Sequence, residues 1–406
     1  MPNGVPITAK RSRILMVAAC PFPARRGTPV RIERMAEELG RRGNEVHVAA
    51  YHLGDAGASP HYTLHRIRGL ASYQNTAPGP TWTKLLVADP QLLALVYRLA
   101  GQLRPDVIHA HHFEGLMASV PARLRFRIPL VFDAHVLLDG ELEFYDMGLP
   151  NGLRRRAART LDWALPRLAS HVVSVSDEIR QRLHGQYRMS LDSITVIGNG
   201  VEAPFFEGRR GAYPPDGMKR VVFAGNLASY QGVDLLLEAF VHVARARPDV
   251  KLTIVTDSAT GDCAARAREL GIGDRVEFVE SQLPLLPDHL ASGDVLVNPR
   301  TRCPGVPQKL LNYMASGTPM VSFEGSTRYV VDGKSGLVIA NGDVEAFAAG
   351  ILRLLADDAL RSSLGREAQR YAADRLSWSA TAGALEAVYA QLAHPGPPGA
   401  ALPRAQ

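Results

Sequence analysis

The stretch RILMVAACPFPARRGTPVRIERMAEELGRRGNEVHVAA, from Arg13 to Ala50, decides the fold. It opens on an apolar run, Arg13–Ala18, of the kind found in strands covered on both faces. From Val30 to Gly43, Ile32, Met35, Ala36 and Leu39 recur at helical spacing, and Gly40 and Gly43 punctuate the end. A second apolar run, Glu45–Ala50, follows at once. Strand, helix and strand in so short a span form a βαβ unit, and such units build parallel sheets.

The rhythm continues outward. Further strands are predicted at Asp106–Ala110, Pro129–Ala134, His171–Val175 and Ser193–Ile197. It breaks at Glu202–Lys219, rich in Gly, Pro and charge, which reads as a linker. A second series then begins, with strands predicted at Arg220–Ala224, Lys251–Thr256, Arg275–Val279, Asp294–Asn298, Pro319–Phe323 and Gly336–Ile339. The expected organisation is a Rossmann-like domain over 1–203, a linker over 204–219 and a second Rossmann-like domain over 220–375. A C-terminal helix over 376–393 and a Pro-rich disordered tail over 394–406 complete it. Open parallel sheets bind ligands outside their strand C-termini, so two such doubly wound domains predict a cleft enzyme.

Composition narrows the class. With 406 residues, 46% of them apolar and 21% charged, the chain can bury two or three cores. A mean hydropathy of -0.06 fits neither a disordered chain nor a multi-span membrane protein. The run after Lys10, Arg11 and Arg13 reads as a first buried strand, without a signal-peptide pattern. Cys20, Cys263 and Cys303 are scattered and lack metal spacing, which predicts a reduced, cytoplasmic setting. Residues 1–200 hold 25 Lys and Arg against 17 Asp and Glu, so all of the net +6 charge lies in the first half. That half is expected to meet something anionic, with solvated arginine faces as the alternative. Leu153 to Arg167, with Arg154, Arg155, Arg156, Arg159 and Trp163, reads as a basic amphipathic helix that could lie on anionic lipid or pack on the sheet. No nucleic-acid-binding motif occurs, and no Gly-x-Gly-x-x-Gly, phosphate-loop, Gly-x-Ser-x-Gly or Asp-x-Asp signature.

Specific strings carry more. Ile14-Leu-Met-Val with Pro21-Phe-Pro and Gly27, Asp106-Val-Ile-His-Ala-His111-His112, Phe132-Asp-Ala-His135, Val172-Val-Ser-Val-Ser176 and Val196-Ile-Gly-Asn199-Gly200-Val201 stand in this order. Val222-Phe-Ala-Gly225-Asn-Leu, Gln231-Gly232-Val-Asp-Leu-Leu, Leu311-Asn-Tyr-Met-Ala-Ser-Gly317-Thr-Pro319, Asp332-Gly-Lys-Ser-Gly336 and Trp378 follow. Over residues 12–392 the chain resembles the retaining glycosyltransferases of family 4. The resemblance implies the GT-B fold: an acceptor-side first domain, a second domain that binds the nucleotide sugar, and a last helix that crosses back onto the first.

Departures from that family fall where charge is expected. The family's two donor-phosphate cations fall on Asn226 and Gln231, and its pair of glutamates on Pro304 and Asn312. A diphosphate still needs compensating charge or donors. Arg300 and Lys309 are candidates, with Pro307 as first helical residue and the N–H groups at 308–310, including that of Leu310, facing the anion. Pro-x-Lys followed by Tyr-Met-Ala-x-Gly also resembles a subgroup with similarly altered glutamates. Gly225 belongs to the same donor site, Gly27 lets backbone approach the phosphates, and Asn312 offers a ribose hydrogen bond.

In the first domain the resemblance makes His135, just after a predicted buried strand, the catalytic-site residue, hydrogen bonding to the donor sugar or reacting oxygens. Asp139 and Glu141 (with Glu143 beyond them) are acceptor-side candidates, or a solvated acidic loop. Arg25 and Arg26 are candidates for an anionic acceptor. His109, His111 and His112 end a strand without a carboxylate or cysteine at ligand spacing and read as structural or acceptor-cleft histidines rather than a metal cluster; no metal and no cofactor is expected. The expected function is transfer of a hexose-type sugar from a nucleoside diphosphate sugar to a lipid-linked sugar, glycolipid or polysaccharide, by a cytoplasmic protein on the inner membrane face. A GT-B protein that binds without catalysis, and a sugar-nucleotide epimerase, are the alternatives.

Overall fold

In the computed structural model, the residues described are 11–24, 27–55, 59–69, 83–141, 151–303 and 307–393. The opening unit is β1 (Arg13–Ala18), α1 (Gly27–Arg41) and β2 (Glu45–Ala50). Ile32, Met35, Ala36 and Leu39 are buried on one stripe of α1, as their spacing requires. The chain continues through β3 (Thr63–Arg66), α2 (Asp89–Leu103), β4 (Val107–His111), α3 (His112–Phe126) and β5 (Leu130–Ala134). Then come α4 (Leu138–Glu141), α5 (Asn151–Ala164), β6 (His171–Ser174), α6 (Asp177–Gly185) and β7 (Ile194–Val196).

These strands form one sheet in the order β3-β2-β1-β4-β5-β6-β7, and every pairing is parallel. The order reverses between β1 and β4, which places a ligand crevice beyond their C-terminal ends. β3 lacks an apolar run because it is a half-exposed edge, and for that reason the pattern did not announce it.

The second series is β8 (Lys219–Ala224), α7 (Val233–Ala246), β9 (Val250–Thr256), α8 (Gly261–Glu269) and β10 (Val276–Glu280). It goes on through α9 (Leu286–Ser292), β11 (Val295–Asn298), α10 (Gln308–Ser316), β12 (Met320–Phe323) and β13 (Leu337–Ile339). It ends with α11 (Val344–Ala356), α12 (Asp358–Arg375) and α13 (Trp378–Ala393). The six strands, β10-β9-β8-β11-β12-β13, are again all parallel, with the switch between β8 and β11.

The chain forms two compact units, one up to Asn199 and again from Thr381, the other from Gly200 to Ala380. The stretch 204–219, expected as a linker, is instead built into the second unit. Phe205 is buried in its core, Tyr213 packs against the same cluster, and the Asp216 carboxylate accepts from Arg220 and Lys251. Gly and Pro here serve tight turns rather than a free tether. From Thr381 on, α13 belongs to the first unit, where the Glu386 carboxylate accepts from Arg42 at 2.9 Å and Asn44 at 2.7 Å. Arg25, Arg26, Glu143, Pro304 and the tail from His394 lie outside the described residues.

Candidate functional site

In the first unit, β4 and β5 run side by side with His111 opposite Asp133 in register. Side chains alternate along a strand, so His109 and His111 share the face on which Asp133 also stands. Asp133 is fully buried. Its carboxylate accepts from Arg31 of α1, with Nε 3.1 Å from Oδ2 and Nη2 3.3 Å from Oδ1. Burial alone pushes the Asp133 carboxyl up, but Arg31 and the neighbouring histidines hold it well below the usual carboxylate range. Oδ2 also lies 3.4 Å from His111 Nδ1, 3.6 Å from His109 Nε2 and 3.9 Å from His135 Nε2.

His135 follows β5 directly, and its Nε2 is 3.2 Å from His111 Nδ1. The His112 ring stacks on it with centroids 4.8 Å apart, and His112 itself holds a left-handed φ of 62°. Burial lowers the His135 and His111 imidazoles, the latter to about 3 with His109 adding to the effect, so both are neutral at pH 7. Tyr389 of α13 meets His109 Nδ1 at 2.6 Å. The expectation that no carboxylate stands at ligand spacing from these histidines is corrected, because the neighbouring strand brings Asp133 beside them. His109, His111 and Asp133 bring three possible ligand atoms within 4.8 Å of one another. Both Asp133 oxygens, however, already face a buried guanidinium, and a dication there would have to displace it.

The other first-unit candidates fare differently. Gly27 starts α1 with φ 48°, and a Cβ there would meet nothing within 4 Å. Asp139 is no solvated acid, since its nearly buried carboxylate faces Arg182 at 3.3 Å, Arg159 at 3.4 Å and Arg155 at 3.6 Å. It clamps α5 and α6 to α4, a packing role that its sequence neighbourhood did not reveal. Glu141 closes the four-residue α4.

In the second unit, Gly225 leaves β8 with φ 148°, a conformation that favours glycine. Asn226 accepts from Gln231 Nε2 at 3.3 Å and donates to the Tyr230 hydroxyl at 2.9 Å. Lys309, one turn into α10, donates to Gln231 Oε1 at 2.6 Å, and its Nζ lies 4.5 Å from the centre of the Phe223 ring. Arg300 sits over the Tyr230 ring at 4.8 Å. Five of the expected donor residues, Gly225, Asn226, Gln231, Arg300 and Lys309, are thus brought together beside the β8–β11 switch.

Tyr313, unforeseen, fixes this arrangement. Its buried hydroxyl accepts from Ala224 N–H at 2.7 Å and ties α10 to the end of β8. Asn312 is half-buried and accepts from Gln308 at 3.4 Å. Two expectations need correction. Pro307 is extended, caps the helix and is not its first residue. The Leu310 side chain lies wholly in the core and its N–H donates to Pro307 O at 3.0 Å, so Leu310 offers a ligand neither. Two open surface cavities, of about 470 and 490 Å³, are lined by other residues, Lys334 and Arg366 in one and Arg13 and Arg104 in the other.

Arg31 and Asp133, the buried pair at the centre of the histidine cluster, are not among the residues that the sequence patterns single out. Each carried a signal: a carboxylate inside a wholly buried strand and an arginine on the apolar stripe of a helix both demand a partner.

A family model described as Glycosyltransferase Family 4 matches residues 25–203, and one described as Glycosyl transferases group 1 matches residues 218–357. The D-inositol 3-phosphate glycosyltransferase of Corynebacterium diphtheriae is 28% identical over 311 residues, covering 72% of this chain and 72% of that protein. The enzyme of the same name from Acidothermus cellulolyticus is 28% identical over 435 residues, covering 95% and 91%. The crystal structure of Anabaena HepE in complex with UDP aligns with a TM-score of 0.66 at 18% identity, over 93% of this chain and 100% of that one. Sucrose-phosphate synthase from Thermosynechococcus elongatus aligns with a TM-score of 0.66 at 19% identity, over 94% and 99%.

Proposed function

The chain belongs to glycosyltransferase family 4 and is a glycosyltransferase with the GT-B fold, and on that premise we propose that it moves a hexose-type sugar, with retention, from a nucleoside diphosphate to a lipid-linked sugar, glycolipid or polysaccharide. The observation that carries the donor half is Lys309, a half-buried cation held by Gln231 beside the left-handed backbone of Gly225. Lys309 and Arg300 compensate the charge of the diphosphate, and the first N–H groups of α10 add donors. As the sugar bond breaks, negative charge grows on the leaving diphosphate, and groups fixed in advance around it lower the barrier. The UDP in complex with HepE supports a nucleoside diphosphate as the donor class. His135 hydrogen-bonds sugar or acceptor oxygens. No metal or cofactor takes part in this reading.

On α5, Leu153, Leu161 and Trp163 are exposed among arginines, a composition that suits an anionic membrane surface where such acceptors reside. Among the described residues no helix is long and apolar enough to cross a membrane.

A screen of nucleotide sugars by thermal shift, followed by turnover with the best of them, tests the proposal. One base and sugar stabilising above the rest, with loss of that shift in Lys309→Ala, supports it. Equal shifts for all overturn the donor assignment. The uncharged Asn226, Gln231 and Asn312 favour one second reading, a protein that binds sugar nucleotide without transfer. Tight binding with no turnover on any acceptor would establish that reading instead.

A further inference from the structure

The buried group around Asp133 constrains His135 more tightly than burial alone. Resting on the glycosyltransferase reading above, we propose that Arg31, Asp133 and His111 are positioning residues that lock His135 as the Nδ1–H tautomer, so that it meets its ligand only as a hydrogen-bond donor.

Arg31 sets the charge of the group. Its guanidinium, 2% exposed, covers Asp133 from one side and spends its remaining donors on Ile197 O at 2.8 Å, Gly198 O at 2.8 Å and Asn199 Oδ1 at 3.1 Å. A guanidinium so fixed keeps Asp133 an anion, and an ionised carboxylate is an acceptor only. His111 presents Nδ1 to Asp133 Oδ2 at 3.4 Å and leaves Nε2 buried without a partner. In a neutral ring the single proton therefore sits on Nδ1, where an anion awaits it, and Nε2 is bare. The same Nδ1–H of His111 lies 3.2 Å from His135 Nε2. Two N–H groups cannot face one another at that distance, so His135 Nε2 accepts. In a neutral imidazole the proton then belongs to Nδ1, the nitrogen left for a ligand. His109 stands beside the set, its Nδ1 2.6 Å from the Tyr389 hydroxyl and its Nε2 3.6 Å from Asp133 Oδ2.

The chemical consequence is specific. His135 can pair with a sugar hydroxyl oxygen or a phosphate oxygen, but it cannot take the proton of an attacking hydroxyl at Nδ1. A residue there that acted as general base would need the opposite tautomer.

The experiment is a long-range ¹H–¹⁵N correlation on the full chain labelled with ¹⁵N-histidine, His135 being assigned by the signals lost in His135→Gln. The expected spectrum has His135 with Nδ1 protonated and Nε2 bare. An Nε2–H tautomer or an imidazolium at His135 near pH 7 overturns the proposal. Asp133→Asn and Arg31→Lys are then compared with wild type. Mixed His135 tautomers, with kcat falling and KM nearly kept, are expected, and an unchanged His135 spectrum in either folded variant counts against the lock. The wild-type spectrum decides the tautomer even if Asp133→Asn fails to fold. Absence of transfer with every donor would sink the functional reading and leave the tautomer result standing.

Discussion

Lys309 and Gln231, 78 positions apart in sequence, meet at 2.6 Å beside the exit of β8. The contact places a flexible cation against the Phe223 ring and removes most of its hydration. Burial, with Arg300 nearby, pushes the Lys309 ammonium down to about 7.

A diphosphate bound beside Lys309 favours its charged form and raises that value again. Binding above about pH 7 therefore takes up a proton, and affinity falls by up to about tenfold per pH unit as the pH rises further. Below that point both states carry the proton and affinity is level. Titration calorimetry with UDP in buffers of different ionisation heat reads the uptake directly. Lys309→Met is expected to bind more weakly and without the pH slope; a wild type that takes up no proton near pH 8 would refute this.

Tyr313→Phe removes the hydroxyl that satisfies the buried Ala224 N–H. An orphaned buried donor costs about 1–3 kcal/mol, seen as a lower midpoint in urea unfolding. Nucleotide affinity is expected to fall as well, because the same bond anchors the turn at Gly225. Full stability in the variant would mean that the N–H finds another partner.

Gly232→Ala tests the loop that carries Gln231. Gly232 has φ 72° and caps α7, and a Cβ there would lie 2.2 Å from Pro299 O. Backbone must shift, so a loss of more than about 2 kcal/mol is expected in thermal or urea unfolding. A near-wild-type midpoint would show that the 225–232 turn is not held as described.

Asp139→Ala frees three arginines from their shared carboxylate. Those arginines are partly exposed, so the expected loss is about 1–2 kcal/mol, short of the figure for a wholly buried pair. Asp139→Asn should behave similarly, since the charge and not the shape holds the cluster. Unaltered stability with lost transfer would instead assign Asp139 to the acceptor.

The α5 surface is tested by sedimentation with vesicles containing anionic phosphatidylglycerol. Wild type is expected to bind and Leu161→Asp/Trp163→Asp to bind several-fold more weakly, with salt weakening both. Equal binding to neutral vesicles would remove the charge argument.

The architecture was legible because buried strands and amphipathic helices write their periods into the chain. Arg13–Ala18 and Glu45–Ala50 fall on β1 and β2 to the residue, and among the described residues the other eleven strands include only one, the half-exposed β3, that pattern did not mark. In the two candidate sites single residues such as His135, Lys309 and Gln231 stand out in the chain, but their partners Asp133, Arg31 and Tyr313 do not, and neither do the arrangements they make. Lys309 and Gln231 were each visible, whereas their contact depends on how α10 packs, and that is set by Tyr313. Arg31 and Asp133, 102 positions apart, leave no local period at all. Asp139 reads as a loop acid because its arginine partners come from two later helices.

The late place of α13 in the chain bears on how the protein is made. Glu386 and Tyr389 of α13 complete hydrogen bonds with Arg42, Asn44 and His109 in the unit that begins the chain. A ribosome must therefore synthesise the whole of the other unit before those partners emerge. At roughly 5–20 residues per second, the nearly two hundred residues between Asn199 and Ala393 take on the order of 10–40 s. For that interval the nascent first unit lacks the apolar side chains of Leu385 and Val388 that α13 buries, and its surface is open to chaperones.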